Sequence, residues 1–508
     1  MLRGSIHETR LTSGHAPKQV LVGGSWLIAA RVIDRLVGVV SISVLARLLK
    51  PVDFGVVAVA GTVVGAVELF SAFGFDWALV RHRDPSADDL NSAWTLRVLF
   101  GLATFVALAL LGPAGAAFYH QPALKAVLVA MGAISFTGSL ENIGTVYFRR
   151  DFVFHKEFLI RAASKLGGFC VSLAVALQYR SYWALVAGLF AVRAVTVGAS
   201  YLLHPYRPRP SLKNARDLFG FSAGLLFANV IDYCRARFGD LYIGRVYGAA
   251  TNGLFAVAGE ISVTPLTEVS QPIGRAAYSR YTEDIRANRG LEASYLSITS
   301  LIWMITLPMA AGIAAVAPAI IRLLLGPRWE GAIAVLRWMA VGTGFWLMNA
   351  NTHYVYWALG RTRIPAATSA AGAVVLIPAT IACSHFGGYV GVAFAFALTS
   401  AFLVPINFAI LRRVAGIRFA DLWRHVWRIV LATLVMGVTL WYLFQDSAST
   451  SPVAAMRLLV EQVAVGALTY VAIVYAIWVA CGRPPGPEHL AEQLILRALG
   501  RWKRRYAS

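Results

Sequence analysis

Apolar segments about 20 residues long recur along the whole chain, and each is long enough to cross a hydrocarbon core about 30 Å thick as a helix. Of the 508 residues, 58% are hydrophobic and only 14% are charged. An average soluble domain has roughly 25% charged residues, so this composition excludes an ordinary soluble or disordered protein. A transmembrane β-barrel would instead show alternating segments of about ten residues. The sequence therefore predicts an all-α, polytopic membrane protein.

These segments predict about fourteen transmembrane helices. The first 20 residues are polar, and the apolar run after them carries Arg31, Asp34 and Arg35, so we expect the first helix to stay as a span rather than be cleaved as a signal peptide. A shorter apolar piece at 317–325 ends at Gly326 and predicts a half-helix or an interfacial helix. The predicted spans lie at 21–45, 54–80, 93–118, 123–147, 158–178, 181–203, 217–243, 249–273, 293–315, 331–357, 363–383, 388–411, 426–444 and 458–480.

The charge balance sets the expected orientation. Lys and Arg total 46 against 25 Asp and Glu, a net charge of +21. In a soluble protein this excess would indicate nucleic-acid binding, but basic residues also gather in cytoplasmic loops and contact anionic membrane lipids, so we predict no nucleic-acid partner. With both termini, one alternating set of loops holds roughly 28 basic residues and the other roughly 7, which places both termini in the cytoplasm by the positive-inside rule.

Several catalytic signatures are absent from the sequence. It has no GxxxxGK[ST] motif for an ATP-driven motor, no HExxH motif and no Cys/His spacing typical of a metal site. The four cysteines are far apart and are interpreted as small packing residues. We therefore predict no catalytic residue, no metal site and no cofactor beyond coupling to H⁺ or Na⁺.

An internal repeat relates the two halves of the chain. GVVAVAG at 55–61 reappears as GLFAVAG at 253–259, an offset of 253 − 55 = 198 that also aligns Asp34 with Asp232. The repeated spans are six places apart and so have the same orientation, which predicts two six-helix lobes related by a parallel pseudo-twofold axis around a central cavity and suited to alternating access. The expected organisation is a cytoplasmic N-terminal segment (1–20), an N-lobe (21–216), a C-lobe (217–411), two further helices (412–481) and a basic cytoplasmic tail (482–508), either amphipathic or simply solvated.

Charged side chains inside predicted spans are the candidate site residues, because a charge in the hydrocarbon is costly and normally faces a bundle interior or a wet cavity. In span 1, Arg31, Asp34 and Arg35 share one helical face by their i,i+3 and i,i+4 spacing. Glu68 and Glu141 have no i,i+4 partner and are candidate proton or cation sites.

Span 7 carries a second group of embedded charges. Its i,i+3 spacing pairs Asp232 with Arg235, and Arg237 with Asp240 on a different face. One interpretation is that these are local ion pairs that mask one another. The other is that the charges of spans 1 and 7 lie at the interface between the lobes, where a transporter of this repeat type binds its substrate.

Three motifs resemble the bacterial Wzx-type polysaccharide flippases, within the multidrug/oligosaccharidyl-lipid/polysaccharide exporter superfamily. The first two lie at repeat-related positions, and the resemblance covers nearly the whole chain. The motifs are VLARLL at 44–49 with Pro51 and DFG at 53–55; DLYIGR at 240–245 with Gly248 and Gly253; and GPRWE at 326–330.

This resemblance implies a transporter of the bacterial inner membrane rather than an enzyme. Such proteins move undecaprenyl-pyrophosphate-linked oligosaccharides to the periplasmic leaflet for exopolysaccharide or lipopolysaccharide biosynthesis, beside a polysaccharide polymerase and export machinery. Cavity arginines would hold the dianionic pyrophosphate, which makes Arg31, Arg35, Arg235 and Arg237 the expected ligands. The expected coupling or cavity acids are Asp34, Asp232, Asp240, Glu68 and Glu141, and aromatic residues such as Trp346, Tyr354, Tyr356 and Trp357 are either sugar-stacking or packing residues.

Other functions stay open at this stage. A cation-coupled drug exporter of the same superfamily would favour an acid-dominated cavity, and a lipid II flippase is a further alternative. A membrane polysaccharide polymerase or ligase typically has a large periplasmic loop, whereas no predicted non-cytoplasmic loop exceeds about 16 residues under the positive-inside orientation.

Overall fold

The computed structural model describes residues 16–69, 86–150, 153–213, 223–444, 452–484, 486–489 and 492, and within these ranges the chain forms helices and turns without any strand. The all-α prediction is confirmed. Most of the predicted cytoplasmic N-terminal segment and most of the predicted basic tail lie outside the described residues. The long helices are α1 (Ala16–Leu48), α2 (Pro51–Leu69), α3 (Ala87–Phe118), α4 (Ala123–Ser139), α5 (Phe154–Tyr179), α6 (Trp183–Leu203), α7 (Ala223–Val246), α8 (Gly248–Arg286), α9 (Glu292–Ala315), α10 (Ala332–Ala358), α11 (Arg363–Ala415), α12 (Phe419–Phe444) and α13 (Pro452–Ala480).

These helices follow the predicted spans in order. Helices α1 to α10 correspond to spans 1 to 10, and α11 contains two spans because its 53 residues bend at Gly388, whose φ is 58°. A chain bend of this kind suits glycine, which has no Cβ to clash at positive φ. By length and composition alone, eight described helices are apolar enough to cross a membrane, and α11 is one of them. The charge-bearing helices α1 and α7 are outside that set.

Two compact units make up the chain, residues 1–227 and 228–508, named here the N-unit and the C-unit. In the N-unit, α1 packs on α5, α2 and α3 pack on α4, and α5 packs on α6. In the C-unit, α10 packs against α8, α9 and α11, while α12 joins α9 to α13. The finer domain boundaries predicted from the sequence stay predictions.

Small residues bring α5 and α6 into close contact in the N-unit. A Cβ on Gly168 would lie 2.3 Å from Val192 Cγ2 and 3.0 Å from the Gly188 carbonyl oxygen. Ser172, one turn further along α5, donates a 2.8 Å hydrogen bond to the Ala184 carbonyl. Small residues at four-residue spacing are a common basis of helix association in membranes, where lipid tails leave little hydrophobic drive between helices.

The C-unit has the larger aromatic core. Tyr281, Tyr295, Trp303 and Tyr356 are fully buried and pack together across α8, α9 and α10. Asn351 lies among them and donates hydrogen bonds to Tyr281 Oη at 2.8 Å and to Thr299 Oγ1 at 2.7 Å. Tyr356 is therefore a packing residue of this core.

The repeated motifs form the turns between paired helices. Asp53, in the first turn of α2, accepts a 2.9 Å hydrogen bond from the Lys50 backbone N–H and so ties the α1–α2 corner. At the repeat-related corner between α7 and α8, Gly248 adopts a φ of 81°. In the third motif, Gly326 has a φ of 91° and Trp329 is fully buried. Glu330 of this motif pairs at 3.0 Å with Arg322, which lies in the last turn of the preceding short helix Ala317–Leu324. The motifs that carry the resemblance are thus mainly turn-forming residues.

Candidate functional site

Helices α1 and α5 run side by side in the same direction in the N-unit. The rings of Trp26 and Phe158 lie 5.0 Å apart between centroids, and further along both helices Leu45 packs in one cluster with Ala176. Between these contacts, Lys165 Nζ lies 3.3 Å from Asp34 Oδ1. Because residue numbers rise in the same direction along both helices, α1 and α5 are parallel.

The predicted charged group of span 1 lies along this helix pair. Asp34 forms its ion pair with Lys165 of α5, a residue that helical spacing on α1 does not reveal. Arg31 and Arg35 flank Asp34 on α1 and are both exposed. On α5, one turn before Lys165, Arg161 Nη2 lies 2.7 Å from Glu157 Oε1. We name these six residues the N-seam: Arg31, Asp34 and Arg35 on α1, and Glu157, Arg161 and Lys165 on α5.

The predicted charges of span 7 lie along the corresponding helix pair of the C-unit, α7 and α11. Arg235 donates to Asp232 Oδ1 from Nη2 at 3.0 Å and from Nε at 3.3 Å, and Ser369 Oγ donates to the same oxygen at 3.2 Å. A Cβ on Gly372 would lie 3.3 Å from Arg235 Cδ, so this glycine leaves room for the arginine side chain. We name Asp232, Arg235, Ser369 and Gly372 the C-seam.

In the second predicted pair of span 7, the aspartate is more buried than the arginine. Arg237 Nη1 lies 3.4 Å from Asp240 Oδ2, and the Asp240 residue is only 9% exposed. The i,i+3 pairs predicted on span 7 therefore both form, Asp232 with Arg235 and Asp240 with Arg237.

The two seams occupy repeat-related places. Asp34 and Asp232, aligned by the sequence repeat, both contact the helix four places further along the unit, α5 in one unit and α11 in the other. Tyr242 of α7 also contacts Ser384 of α11 at 2.7 Å, so α7 and the first part of α11 run parallel, as α1 and α5 do. The chemistry differs, because Lys165 contacts the acid in the N-seam and the neutral Ser369 does so in the C-seam.

The two acids without a local partner find theirs on other helices of the N-unit. Ser135 Oγ of α4 donates to Glu68 Oε1 at 2.7 Å. Glu141 pairs with Arg97 of α3 at 3.0 Å, and Arg97 also donates to the Gly138 carbonyl at 3.2 Å. Helical periodicity cannot identify such partners, because they are brought together only by the packing of α2, α3 and α4.

The aromatic candidates of α10 differ in how exposed their side chains are. Tyr354 packs edge-on against Trp357 with ring centroids 5.3 Å apart, and Trp357 is 43% exposed. Trp346 packs against the cluster around Leu266 and Leu347. Of the four, Trp357 alone belongs to the exposed large hydrophobic residues of the described chain.

The described residues were also compared with the ligand clusters that hold metal ions in proteins. Among the described residues, no three His, Cys, Asp or Glu side chains come together in an arrangement suited to a metal ion. The seam carboxylates instead accept hydrogen bonds from lysine, arginine or serine side chains.

Comparison with known proteins finds two matching family models and several similar proteins. A family model described as "Polysaccharide biosynthesis protein" matches residues 44–334, and a model for the lipid II flippase MurJ matches residues 285–460. The chain is 24% identical over 464 residues to the teichuronic acid biosynthesis protein TuaB of Bacillus subtilis, covering 89% of this chain and 94% of that protein. It is 21% identical over 435 residues to the lipopolysaccharide biosynthesis protein WzxC of Escherichia coli, covering 83% and 88%.

The fold matches a solved transporter structure along most of its length. An inward closed conformation of the lipid II flippase MurJ superposes with a TM-score of 0.72 at 13% identity, covering 90% of this chain and 99% of that one. Because the identity is low, this match bears on the fold alone. The polysaccharide-flippase resemblance of the sequence motifs is confirmed by the family model and by the polysaccharide biosynthesis proteins that match most of the chain. The chain therefore belongs to the polysaccharide biosynthesis protein family.

Proposed function

We propose that this protein moves an undecaprenyl-pyrophosphate-linked oligosaccharide from the cytoplasmic to the periplasmic leaflet of the bacterial inner membrane by alternating access. Its family membership and its all-helical transporter fold support this function. The cargo has a dianionic pyrophosphate, a polar glycan and a long apolar chain. A carrier for it needs fixed positive charge inside membrane helices.

The observation that carries the proposal is the basic charge of the N-seam. Within the described part of the chain, Arg31 is exposed and forms no ion pair, although it lies in the first span that the sequence predicts. An arginine stays protonated in such a place and can bind two phosphate oxygens through its planar guanidinium. We propose Arg31 and Arg35 as pyrophosphate ligands. The corresponding candidates of the C-unit, Arg235 and Arg237, each pair with an aspartate of their own helix, and we propose them as helix contacts instead.

The same proposal extends to coupling and orientation. Asp34, Asp240, Glu68 and Glu141 are proposed as coupling or cavity acids for H⁺ or Na⁺, whereas Asp232, expected in the same set, is proposed to neutralise Arg235. Both termini are proposed to be cytoplasmic, and a reporter fused after Ser508 that is active only in the periplasm would overturn that orientation. A polysaccharide polymerase and the export machinery are the proposed partners.

The test of the function is deletion of the gene in its host. We expect a lipid-linked oligosaccharide to accumulate in the cytoplasmic leaflet and surface polysaccharide to disappear, with both restored by the intact gene. Accumulation of unlinked sugar precursors without any lipid-linked oligosaccharide would place the protein at another step and contradict the proposal.

A lipid II flippase is the second candidate, because the MurJ family model matches residues 285–460. The same deletion separates the two. Loss of a lipid II flippase blocks peptidoglycan synthesis and cell growth, whereas loss of a polysaccharide flippase leaves peptidoglycan synthesis intact. A drug exporter would instead leave both polymers unchanged and alter the sensitivity of the cell to toxic cations.

A further inference from the structure

A hollow of about 460 Å³ lies between α4, α5 and α6 of the N-unit, and we name it the α4–α6 hollow. Helices α5 and α6 are long and apolar enough to cross a membrane, and α4 is a shorter apolar helix. Among the described residues, those that line the hollow are aliphatic or aromatic apart from Ser181, and none of them is charged. Its lining therefore suits a hydrocarbon chain and not a sugar or a phosphate group.

The close contact of α5 with α6 forms one side of the α4–α6 hollow. Gly168, Ser172 and Ala176 follow at four-residue spacing on α5 and are buried, and Ser172 donates a 2.8 Å hydrogen bond to a backbone carbonyl of α6. Val175 and Tyr179 have the same spacing, lie on the adjacent face of α5 and line the hollow. The hollow therefore runs alongside a tightly packed helix pair whose spacing is fixed.

Small side chains leave the space that the α4–α6 hollow occupies. On α6, Trp183, Ala187 and Phe190 line it, and their spacings of four and three residues place them on one helix face. Ala130 and Ala133 of α4 also line it. Three alanines on two helices thus create the space, and a larger side chain at any of them would reduce it.

The α4–α6 hollow begins at a membrane surface. Helix α5 ends at Tyr179, α6 begins at Trp183, and a turn between two membrane helices lies at the boundary with water. Tyr179 is 65% exposed and Trp183 is 39% exposed, and both are residue types that concentrate at this boundary. From Trp183 to Phe190 the hollow extends along α6 by about 10 Å at 1.5 Å per residue, against about 15 Å for half of the hydrocarbon core.

Arg180 supplies a positive charge at the surface end of the hollow. It lies between Tyr179 and Ser181, which both line the hollow, and it ends α5 with a φ of 45°. Arg180 is exposed, and within the described ranges it forms no ion pair. A guanidinium can bind two phosphate oxygens at once. An apolar hollow with a cation at its surface end matches an acyl chain and the phosphate of one phospholipid.

We propose that the α4–α6 hollow binds one acyl chain of an anionic phospholipid of the surrounding membrane, and that Arg180 binds the phosphate of the same lipid. The bound chain fills the space beside the α5–α6 contact and so takes part in the packing of the N-unit. With both termini cytoplasmic, as proposed above, the turn after the fifth span is periplasmic, and the lipid belongs to the periplasmic leaflet. This site is separate from the two seams and does not depend on the identity of the cargo.

The test uses phosphatidylglycerol with a photoreactive diazirine in one acyl chain, added in trace amounts to phosphatidylcholine nanodiscs that hold the purified full-length protein. After irradiation, mass spectrometry locates the labelled residues. We expect label at 130–134 and 183–190 about fivefold above the label at Leu110 of α3, which is 75% exposed, and we expect excess unlabelled phosphatidylglycerol to displace it. Ala187→Phe and Ala133→Leu should each lower the label in the hollow about fivefold, and Arg180→Ala about threefold.

Ala103→Phe is the matched control, because Ala103 is an exposed alanine of α3 outside the hollow. It should leave the label in the hollow within about twofold of the wild type. Label in the hollow no stronger than at Leu110, or label that unlabelled phosphatidylglycerol does not displace, would overturn the proposal. Displacement by undecaprenyl phosphate at a lower concentration than by phosphatidylglycerol would also overturn it, because the hollow would then hold a prenyl chain. The displacement experiment on the wild type decides the matter even if a filling variant fails to fold.

Discussion

The N-seam and the C-seam place an acid at the same point of two repeated helix pairs and neutralise it differently. In the N-seam, Lys165 reaches Asp34 from the neighbouring helix at 3.3 Å. In the C-seam, Arg235 pairs with Asp232 on the same helix at 3.0 Å while the neighbouring helix supplies only the Ser369 hydroxyl. The repeat thus keeps the position of the acid and changes which residue neutralises it.

The arginines of the two units therefore differ in their surroundings. Under the proposed function, the exposed Arg31 of the N-seam binds the anionic cargo, whereas Arg235 directs two of its nitrogens at one carboxylate oxygen and has a side chain only 18% exposed. Substitutions at the two seams should therefore fail in different ways, one through cargo binding and the other through stability.

The largest effect on stability is expected when α5 can no longer pack closely against α6, because the N-seam depends on the position of α5. Gly168→Leu places side-chain atoms where Val192 and the Gly188 backbone already lie, which should destabilise the protein by about 3 kcal/mol or more. Thermal loss of the monodisperse protein in detergent measures this effect. Gly198→Leu on α6 is the control, since a Cβ there meets no atom within 4 Å, and equal loss in both variants would refute the close-packing account.

Removing a guanidinium from the N-seam should abolish most transport without loss of protein. Arg31→Ala is expected to lower polysaccharide export roughly tenfold to a hundredfold, since a hydrogen bond to a charged group is worth about 1.5–3 kcal/mol. Arg31→Lys should retain partial export because lysine keeps the charge but not the two-pronged geometry. Export is compared at matched membrane levels of protein, and normal export in Arg31→Ala would remove this residue from the site.

The C-seam should respond as an ion pair that neutralises itself. Arg235→Ala leaves Asp232 without its cation and should cost roughly 1 kcal/mol, lowering the amount of folded protein in the membrane. Asp232→Ala combined with Arg235→Ala should restore that amount and leave transport near normal. Should the double variant reach the wild-type level in the membrane and still fail to transport, Arg235 acts on the cargo and the contrast between the seams is lost.

The smallest effect is expected at an ion network outside both seams, where only stability should change. Asp284, near the end of α8 and beyond the predicted span 249–273, accepts a hydrogen bond from Ser294 Oγ at 2.5 Å and pairs with Arg280 and Arg289. The Ser294 hydroxyl, followed by the two arginines, lowers the pKa of this carboxyl below its usual range.

A lowered pKa in the folded state stabilises the protein above the unfolded pKa of about 3.9, and that contribution is lost as the pH falls through the folded pKa. Asp284→Asn should therefore melt a few degrees lower than the wild type at pH 7, and the difference should shrink below about pH 4. Melting temperatures across this pH range measure it. A difference that stays constant down to pH 3 would show that the ionised carboxylate is not the cause.

Much of the fold was predictable because membrane spans depend on local composition. Each long helix follows an apolar segment, and the half-helix before Gly326 follows from the glycine and proline that end it. Local spacing also predicted the pair of Asp232 with Arg235, since i,i+3 neighbours share a helix face.

Partners from distant helices could not be derived in this way. The pairing of Lys165 with Asp34 could not be predicted, because nothing in α1 or α5 alone indicates how the two helices align. Likewise, Arg97 meets Glu141 across 44 residues, and this contact depends on the packing of α3 on α4. The role of Gly168 in the packing of α5 on α6 cannot be derived from helical periodicity either.

Transport by purified protein tests most directly whether the N-seam, and not the C-seam, engages the cargo. Proteoliposomes carrying an undecaprenyl-pyrophosphate-linked oligosaccharide allow its transfer between leaflets to be followed with a lectin added outside. The double variant Arg31→Ala with Arg35→Ala should lose about a hundredfold in rate, because two proposed charge-assisted contacts are gone. The double variant Asp232→Ala with Arg235→Ala should stay within about threefold of the wild type. Equal loss in both variants, or loss confined to the C-seam, would contradict the account.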